Sequence, residues 1–306
     1  MNRREFLSAA AAVPALAQQQ QAPDPSQTIT LEVNRVNILF TVSDRKGRFV
    51  NNLMRDEFEV YENKKKQKIL EFVTESNIPL RLALLVDTSN SIRNRFRFEV
   101  ETASQFLASV VRPEQDRALI FGFDTAPYLV QGLTNDTAVL GRKLRDLRPG
   151  GGTALFETIF IACRDHLGKE QPKHKFRRAL ILIGDGEDNS SHFTRDQALE
   201  MAHKTDTLIY AISTNMTKIE TDGDKLLKYF CSETGGLAFF PFKAEDLAQD
   251  FENIANELRS QYSILYRPEP LNPDGKYHTI QVKVRERKDV VVRARKGYYA
   301  DGRGGE

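Results

Sequence analysis

Leu82-Ala83-Leu84-Leu85-Val86-Asp87-Thr88-Ser89-Asn90-Ser91 begins with five apolar residues and ends in a carboxylate followed by hydroxyls at alternate positions. An unbroken apolar run of this length reads as a strand buried on both faces, the signature of a parallel sheet. Oxygen side chains gathered where such a strand ends suit a hard divalent cation better than they suit packing. The stretch therefore predicts both an architecture and a chemistry.

Similar runs recur downstream at Ala118–Phe123, Ala179–Ile183 and Thr207–Ile212, with a weaker one at Leu237–Pro241. Between them, Arg97–Val111, Ala138–Leu147, Leu155–Leu167, Thr194–Thr205, Asp224–Glu233 and Ala244–Gln261 have helical spacing. Short buried strands alternating with amphipathic helices predict an α/β fold with a doubly wound, mainly parallel sheet over residues 78–260. Folds of this kind hold ligands at the carboxyl ends of their strands. Asp87 lies at one such end and Asp185 at another.

The two flanks read as β. On the amino side, over residues 28–76, Val36–Val42, Phe58–Tyr61 and Ile69–Val73 are strand-like, and Glu62–Lys66 reads as a charged turn. On the carboxyl side, over residues 261–300, Tyr262–Tyr266, Thr279–Val284 and Val290–Arg293 are strand-like. Each flank is too small for a good core alone. They are expected to pack together, or against one edge of the central domain, as a small accessory β domain. The Lys64-Lys65-Lys66 run reads as a solvated hairpin tip.

Residues 1–17 carry Arg3-Arg4-Glu5-Phe6-Leu7, a short apolar stretch and Ala15-Leu16-Ala17. A basic start, an apolar middle and an Ala-x-Ala end read as an export signal. The paired arginines resemble a twin-arginine signal. Residues 18–27 are Gln- and Pro-rich and read as a disordered spacer. Without residues 1–17, 42 basic and 41 acidic side chains remain. That balance argues against a nucleic-acid or membrane-surface role driven by bulk charge. No run is long enough to span a bilayer, so no transmembrane helix is expected in the mature chain, which is placed in the periplasm or outside the cell. Cys163 and Cys231 allow at most one disulfide and could equally be buried thiols. His166, His174, His192, His203 and His278 are scattered and read as surface or satisfied residues.

Two further segments stand at strand–helix junctions of the alternating region: Gly150-Gly151-Gly152-Thr153-Ala154-Leu155, and Leu180-Ile181-Leu182-Ile183-Gly184-Asp185-Gly186. Together with Asp87-x-Ser89-x-Ser91, over about residues 78–262, these resemble the von Willebrand factor A domain and its metal-ion-dependent adhesion site. The resemblance implies Asp87, Ser89, Ser91, Thr153 and Asp185 as the metal set. It also implies loop and helix movement on ligation. Gly184 stands where the family usually has Thr, a position that is not normally a ligand. The flanks look like those of an exported bacterial subgroup of the family. Two carboxylates and three hydroxyls make a site of charge −2 suited to Mg²⁺ or Mn²⁺, with a position left for an exchangeable ligand. Each piece also has a plainer reading: Ser89 and Ser91 as helix caps, Thr153 as a cap for the helix that starts at Ala154, Asp185-Gly186 as a turn. Glu187, Asp188 and Asn189 read as a solvated rim.

Three functions follow. The first is a binding module that captures a protein or surface ligand through an Asp or Glu carboxylate. The second is a structural or assembly subunit with a vestigial metal site. The third, a metal-assisted hydrolase, lacks a G-x-S-x-G elbow or a histidine placed as base beside a serine. The non-enzymatic readings are therefore preferred.

Overall fold

The computed structural model describes residues 35–74, 78–90, 96–171, 175–215, 217, 219–241 and 243–300. The export signal, the spacer, Ser91 and His174 lie outside the described residues. The centre of the fold is a six-stranded sheet built from β5 (Leu80–Asp87), β6 (Arg117–Phe123), β7 (Pro127–Thr134), β8 (Arg177–Gly184), β9 (Thr207–Ser213) and β10 (Ala238–Phe239). Its order is β10-β9-β8-β5-β6-β7, parallel except for β7. The expected α/β class is thus observed.

Alternate residues of β5 explain why the apolar run is unbroken. Leu82, Leu84 and Val86 pack with α1 (Phe96–Val110), α2 (Thr137–Arg145) and α6 (Ala244–Arg259). Ala83 and Leu85 pack on the other face with α3 (Leu155–Ile161), α4 (Arg195–Lys204) and α5 (Asp222–Thr234). Both faces are covered, so the stretch from Leu82 to Val86 is apolar throughout. Each leucine so buried contributes roughly 1.5–3 kcal/mol. The chain leaves β5 for β6 on one side and later returns to β8 on the other. The crevice outside the carboxyl ends of β5 and β8 is therefore a topological switch point.

Both flanks contribute strands to two antiparallel sheets. β1 (Val36–Asp44), β2 (Phe58–Glu62), β3 (Lys65–Gln67) and β4 (Ile69–Val73) come from the amino side. β11 (Tyr262–Tyr266), β12 (Tyr277–Val284), β13 (Val290–Ala294) and β14 (Gly297–Tyr299) come from the carboxyl side. One sheet runs β13-β1-β11-β4 and the other β14-β12-β2-β3. They share a core in which the rings of Phe40, Phe58, Phe72 and Tyr262 cluster at centroid distances of 5.2–5.7 Å.

Several local expectations are corrected. The strand β7 was not anticipated, because Pro127 and Gly132 interrupt it and neither of its faces is fully buried. The turn after β2 is only Asn63-Lys64, both at positive φ, and Lys65–Gln67 returns as a strand. The helix expected to Leu167 stays α-helical only to Ile161 and then widens into a π turn over Ala162–His166. Cys163 and Cys231 are both buried and free. His203 is neither exposed nor satisfied: it is buried, and among the described residues its Nε2 has no hydrogen-bond partner. Among the described residues no helix is long and apolar enough to cross a membrane.

Candidate metal centre

Asp87 closes β5 at 1% exposure. Its Oδ1 accepts the Ser89 backbone N–H at 2.7 Å. Its Oδ2 is buried and accepts no hydrogen bond among the described residues. Burial pushes the carboxyl up to about 7 against the lowering effect of Ser89, and the charges of Asp185 and Glu187 push the same way. Ser89 is itself buried, and Asp185 is half-buried just beyond the end of β8. The β5–β8 register aligns Val86 with Ile183, which brings Gly184 against Asp87. A Cβ on Gly184 would sit 3.1 Å from Asp87 Oδ2. The departure from Thr at this position thus leaves room for the Asp87 carboxylate.

The loop carrying Thr153 is clamped from three directions. Gly150 N–H donates to Thr88 O at 2.6 Å, and Asn90 Nδ2 donates to Gly151 O at 3.3 Å. Gly152 N–H donates to Thr125 Oγ1 at 3.1 Å. Thr153 N–H donates to Asn189 Oδ1 at 2.9 Å, while Asn189 and Ser190 N–H groups donate back to Thr153 O. Gly151 has φ +90°, and a Cβ there would meet Asp124 at 2.9 Å, so a side chain would open the clamp.

The capping alternative for Thr153 is answered by this geometry. Two N–H groups of the first turn of α3 are taken by other residues: Phe156 N–H by Asp188 Oδ2 at 2.9 Å and Glu157 N–H by Ser191 Oγ at 2.9 Å. The helix begins after Ala154 with no side-chain cap from that residue. Asp188 and Asn189 are accordingly not a merely solvated rim. They hold α3 and the Thr153 loop in place, while Glu187 is exposed.

The structure brings Asp87, Ser89, Thr153 and Asp185 to one edge of the sheet; Ser91 lies outside the described residues. Two residues that sequence reasoning missed support the edge from the side. Thr88 Oγ1 donates to Phe123 O at 3.0 Å, so the 3.0 Å contact with Tyr128 is a hydrogen bond donated by the tyrosine hydroxyl. Tyr128 lies on β7, the strand that the alternation did not reveal. Among the described residues no three His, Cys, Asp or Glu side chains form a metal-holding group. The donors of this edge are instead hydroxyls with two carboxylates, a hard-oxygen set. They fit a divalent cation on one specific count: a buried carboxylate oxygen with no donor is costly unless a positive charge faces it.

A family model described as the von Willebrand factor type A domain matches residues 82–187. The chain carries a von Willebrand factor type A domain. The matched span starts in β5 and ends two residues past Asp185, so it includes the whole candidate edge. Proximal thread matrix protein 1 from the mussel byssus is 16% identical to the chain. It aligns over 65% of this chain and 51% of its own, with a TM-score of 0.52. A second structure of that mussel protein, with a zinc-occupied MIDAS motif, aligns over 65% and 50% at the same identity and a TM-score of 0.52. BatB from Bacteroides thetaiotaomicron aligns at 15% identity over 59% of this chain and 100% of its own, with a TM-score of 0.47. At these identities the mussel structures support the A-domain fold and nothing finer. No curated protein matches the sequence.

Proposed function

We propose that the A domain is an exported, non-enzymatic binding module that captures a partner through a divalent cation held by Asp87, Ser89, Ser91, Thr153 and Asp185. The observation that carries this reading is Asp87 Oδ2, a buried carboxylate oxygen without a donor at the switch-point crevice. When bound, Mg²⁺ or Mn²⁺ would offer one coordination position to an Asp or Glu oxygen of the partner. The chain's own residues do the positioning. Asp87 is held by Ser89 N–H, and Thr153 is held by the Asn189 side chain and the Thr88 carbonyl through its loop. The zinc-occupied motif of the mussel protein is a precedent for a divalent ion in an A domain. The arginine pair and Ala-x-Ala end of residues 1–17 support a place outside the cytoplasm.

The test is affinity capture from the native cell envelope, with Mg²⁺ or with EDTA. The expected result is a protein or surface component retained with Mg²⁺, released by EDTA, and absent when the bait carries Asp87→Ala. Undiminished capture by a folded Asp87→Ala bait would overturn the reading.

A further inference from the structure

A cleft of about 920 Å³ opens away from the candidate metal centre, between the A domain and the two antiparallel sheets. It shares no residue with that centre. Its size is within the range of ordinary ligand sites. Apolar side chains line it from both sides: Leu237 and Ala238 from the A domain, and Ile280, Val282 and Val292 from β12 and β13. Its charged lining is of one sign. Lys64, Lys228, Arg293, Arg295 and Lys296 face it, and among the described residues no Asp or Glu does. Four of these cations are paired, to Glu220, Glu257, Asp206 and Glu233, but those carboxylates are outside the lining. Lys64 has no acidic partner among the described residues. The lysine run that reads as a solvated hairpin tip therefore contributes its first residue to a cleft wall.

The backbone around the cleft points to the kind of occupant. β13 is the outermost strand of one antiparallel sheet and β10 is the outermost strand of the central sheet. Both line this cleft. An outermost strand presents unpaired N–H and C=O groups, and proteins usually cover or charge such edges. Here two of them border one groove with an apolar floor and cationic walls.

We propose that this cleft docks an extended acidic peptide segment of another protein, which adds a strand along the open edge of β13. A strand alternates its side chains between two faces. A segment alternating small apolar residues with Asp or Glu would set the first against Ile280, Val282 and Val292, and the second against Lys64, Lys228 and Lys296. Main-chain pairing supplies affinity and the alternating side chains supply selectivity.

The probe is a labelled peptide of alternating Glu and Val, titrated into the full chain by fluorescence polarisation. The expected result is binding that weakens with salt. The same probe with Lys in place of Glu, or with a central Pro, should not bind. Lys64→Glu combined with Lys228→Glu should weaken binding about tenfold, through two exposed charge reversals. Circular dichroism would verify that this variant is folded. EDTA and Asp87→Ala should leave the peptide affinity unchanged, which separates this cleft from the metal centre. The proposal is overturned if the Lys or Pro peptide binds equally, or if the folded double variant binds normally. It is also overturned if EDTA abolishes binding, or if dodecanoate binds the cleft and the peptide does not. Dimerisation of the chain through these same lysines would contradict it as well.

Discussion

Glu62 and Asp87 are both buried acids, at 5% and 1% exposure, yet the chain surrounds them differently. Glu62 sits in the antiparallel sheets with donors on both oxygens. Tyr266 OH donates to Oε2 at 2.6 Å, and His278 Nδ1 and Tyr298 OH donate to Oε1 at 2.7 and 3.3 Å. His278 in turn gives Nε2–H to Asp274 Oδ1 at 3.1 Å. Asp87 takes its donors from Ser89, yet among the described residues Oδ2 has none, and two negative neighbours stand by. A carboxylate kept for structure brings its own donors. One left short of them at a strand end is placed for something the chain does not supply.

Removing each acid in turn should have opposite effects on stability. Glu62→Ala would leave the buried Tyr266 hydroxyl and the His278 Nδ1–H without their acceptor. It should cost about 3–5 kcal/mol, read as a lowered urea midpoint. Asp87→Asn should act in the opposite direction in chelator-treated protein. Its carboxyl lies at about 7 rather than 3.8, so the folded state resists ionising it. Neutralising it should raise stability by about 1–3 kcal/mol at neutral pH. A loss of similar size to that of Glu62→Ala would erase the distinction.

Titration sharpens the same contrast around two histidines. Burial opposes the charge on His278, but its bonds to Glu62 and Asp274 outweigh it and hold the ring above its ordinary value. Its contribution is therefore full below about pH 6.5 and is lost as pH rises through the raised folded value. His203 is the reverse. Burial, helped by Arg295, pushes it down to about 4. Its contribution is present above about pH 6.5 and is lost as pH falls from there to 4. Urea midpoints across pH should show His278→Gln flattening the alkaline limb, and His203→Gln flattening the acid limb by up to about 3 kcal/mol. The smallest effect is expected at Gly184. With a Cβ at 3.1 Å from Asp87 Oδ2, Gly184→Ala should weaken Mn²⁺ binding less than tenfold, measured calorimetrically, through a shift of a few tenths of an ångström.

Much of the central sheet was legible because its strands are covered on both faces. Burial on both sides leaves a continuous apolar run, and the carboxylate that ends the run marks the rim. Asp87 and Asp185 were readable for that reason. The strand β7 was not, since a half-covered edge strand with a proline and a glycine has no clear period. Pairing between the flanks was expected in outline, but β1 lying between β11 and β13 was not. Alternation tells which face a residue takes and not which strand lies beside it. The supporting roles of Tyr128, Asp188 and Asn189 were hidden because they depend on loops from different strands meeting across the rim. His203 was misread because spacing carries no information on whether a ring nitrogen finds a partner.

On the proposed reading, Asp87 Oδ2 has no donor because a bound cation would supply the missing charge. The most direct test is the urea midpoint of chelator-treated wild type and Asp87→Asn, each with and without millimolar Mn²⁺. A ligand that binds only the folded state must stabilise it. Mn²⁺ should raise the wild-type midpoint and leave that of Asp87→Asn unmoved. A wild-type midpoint that Mn²⁺ and Mg²⁺ both fail to shift would contradict it.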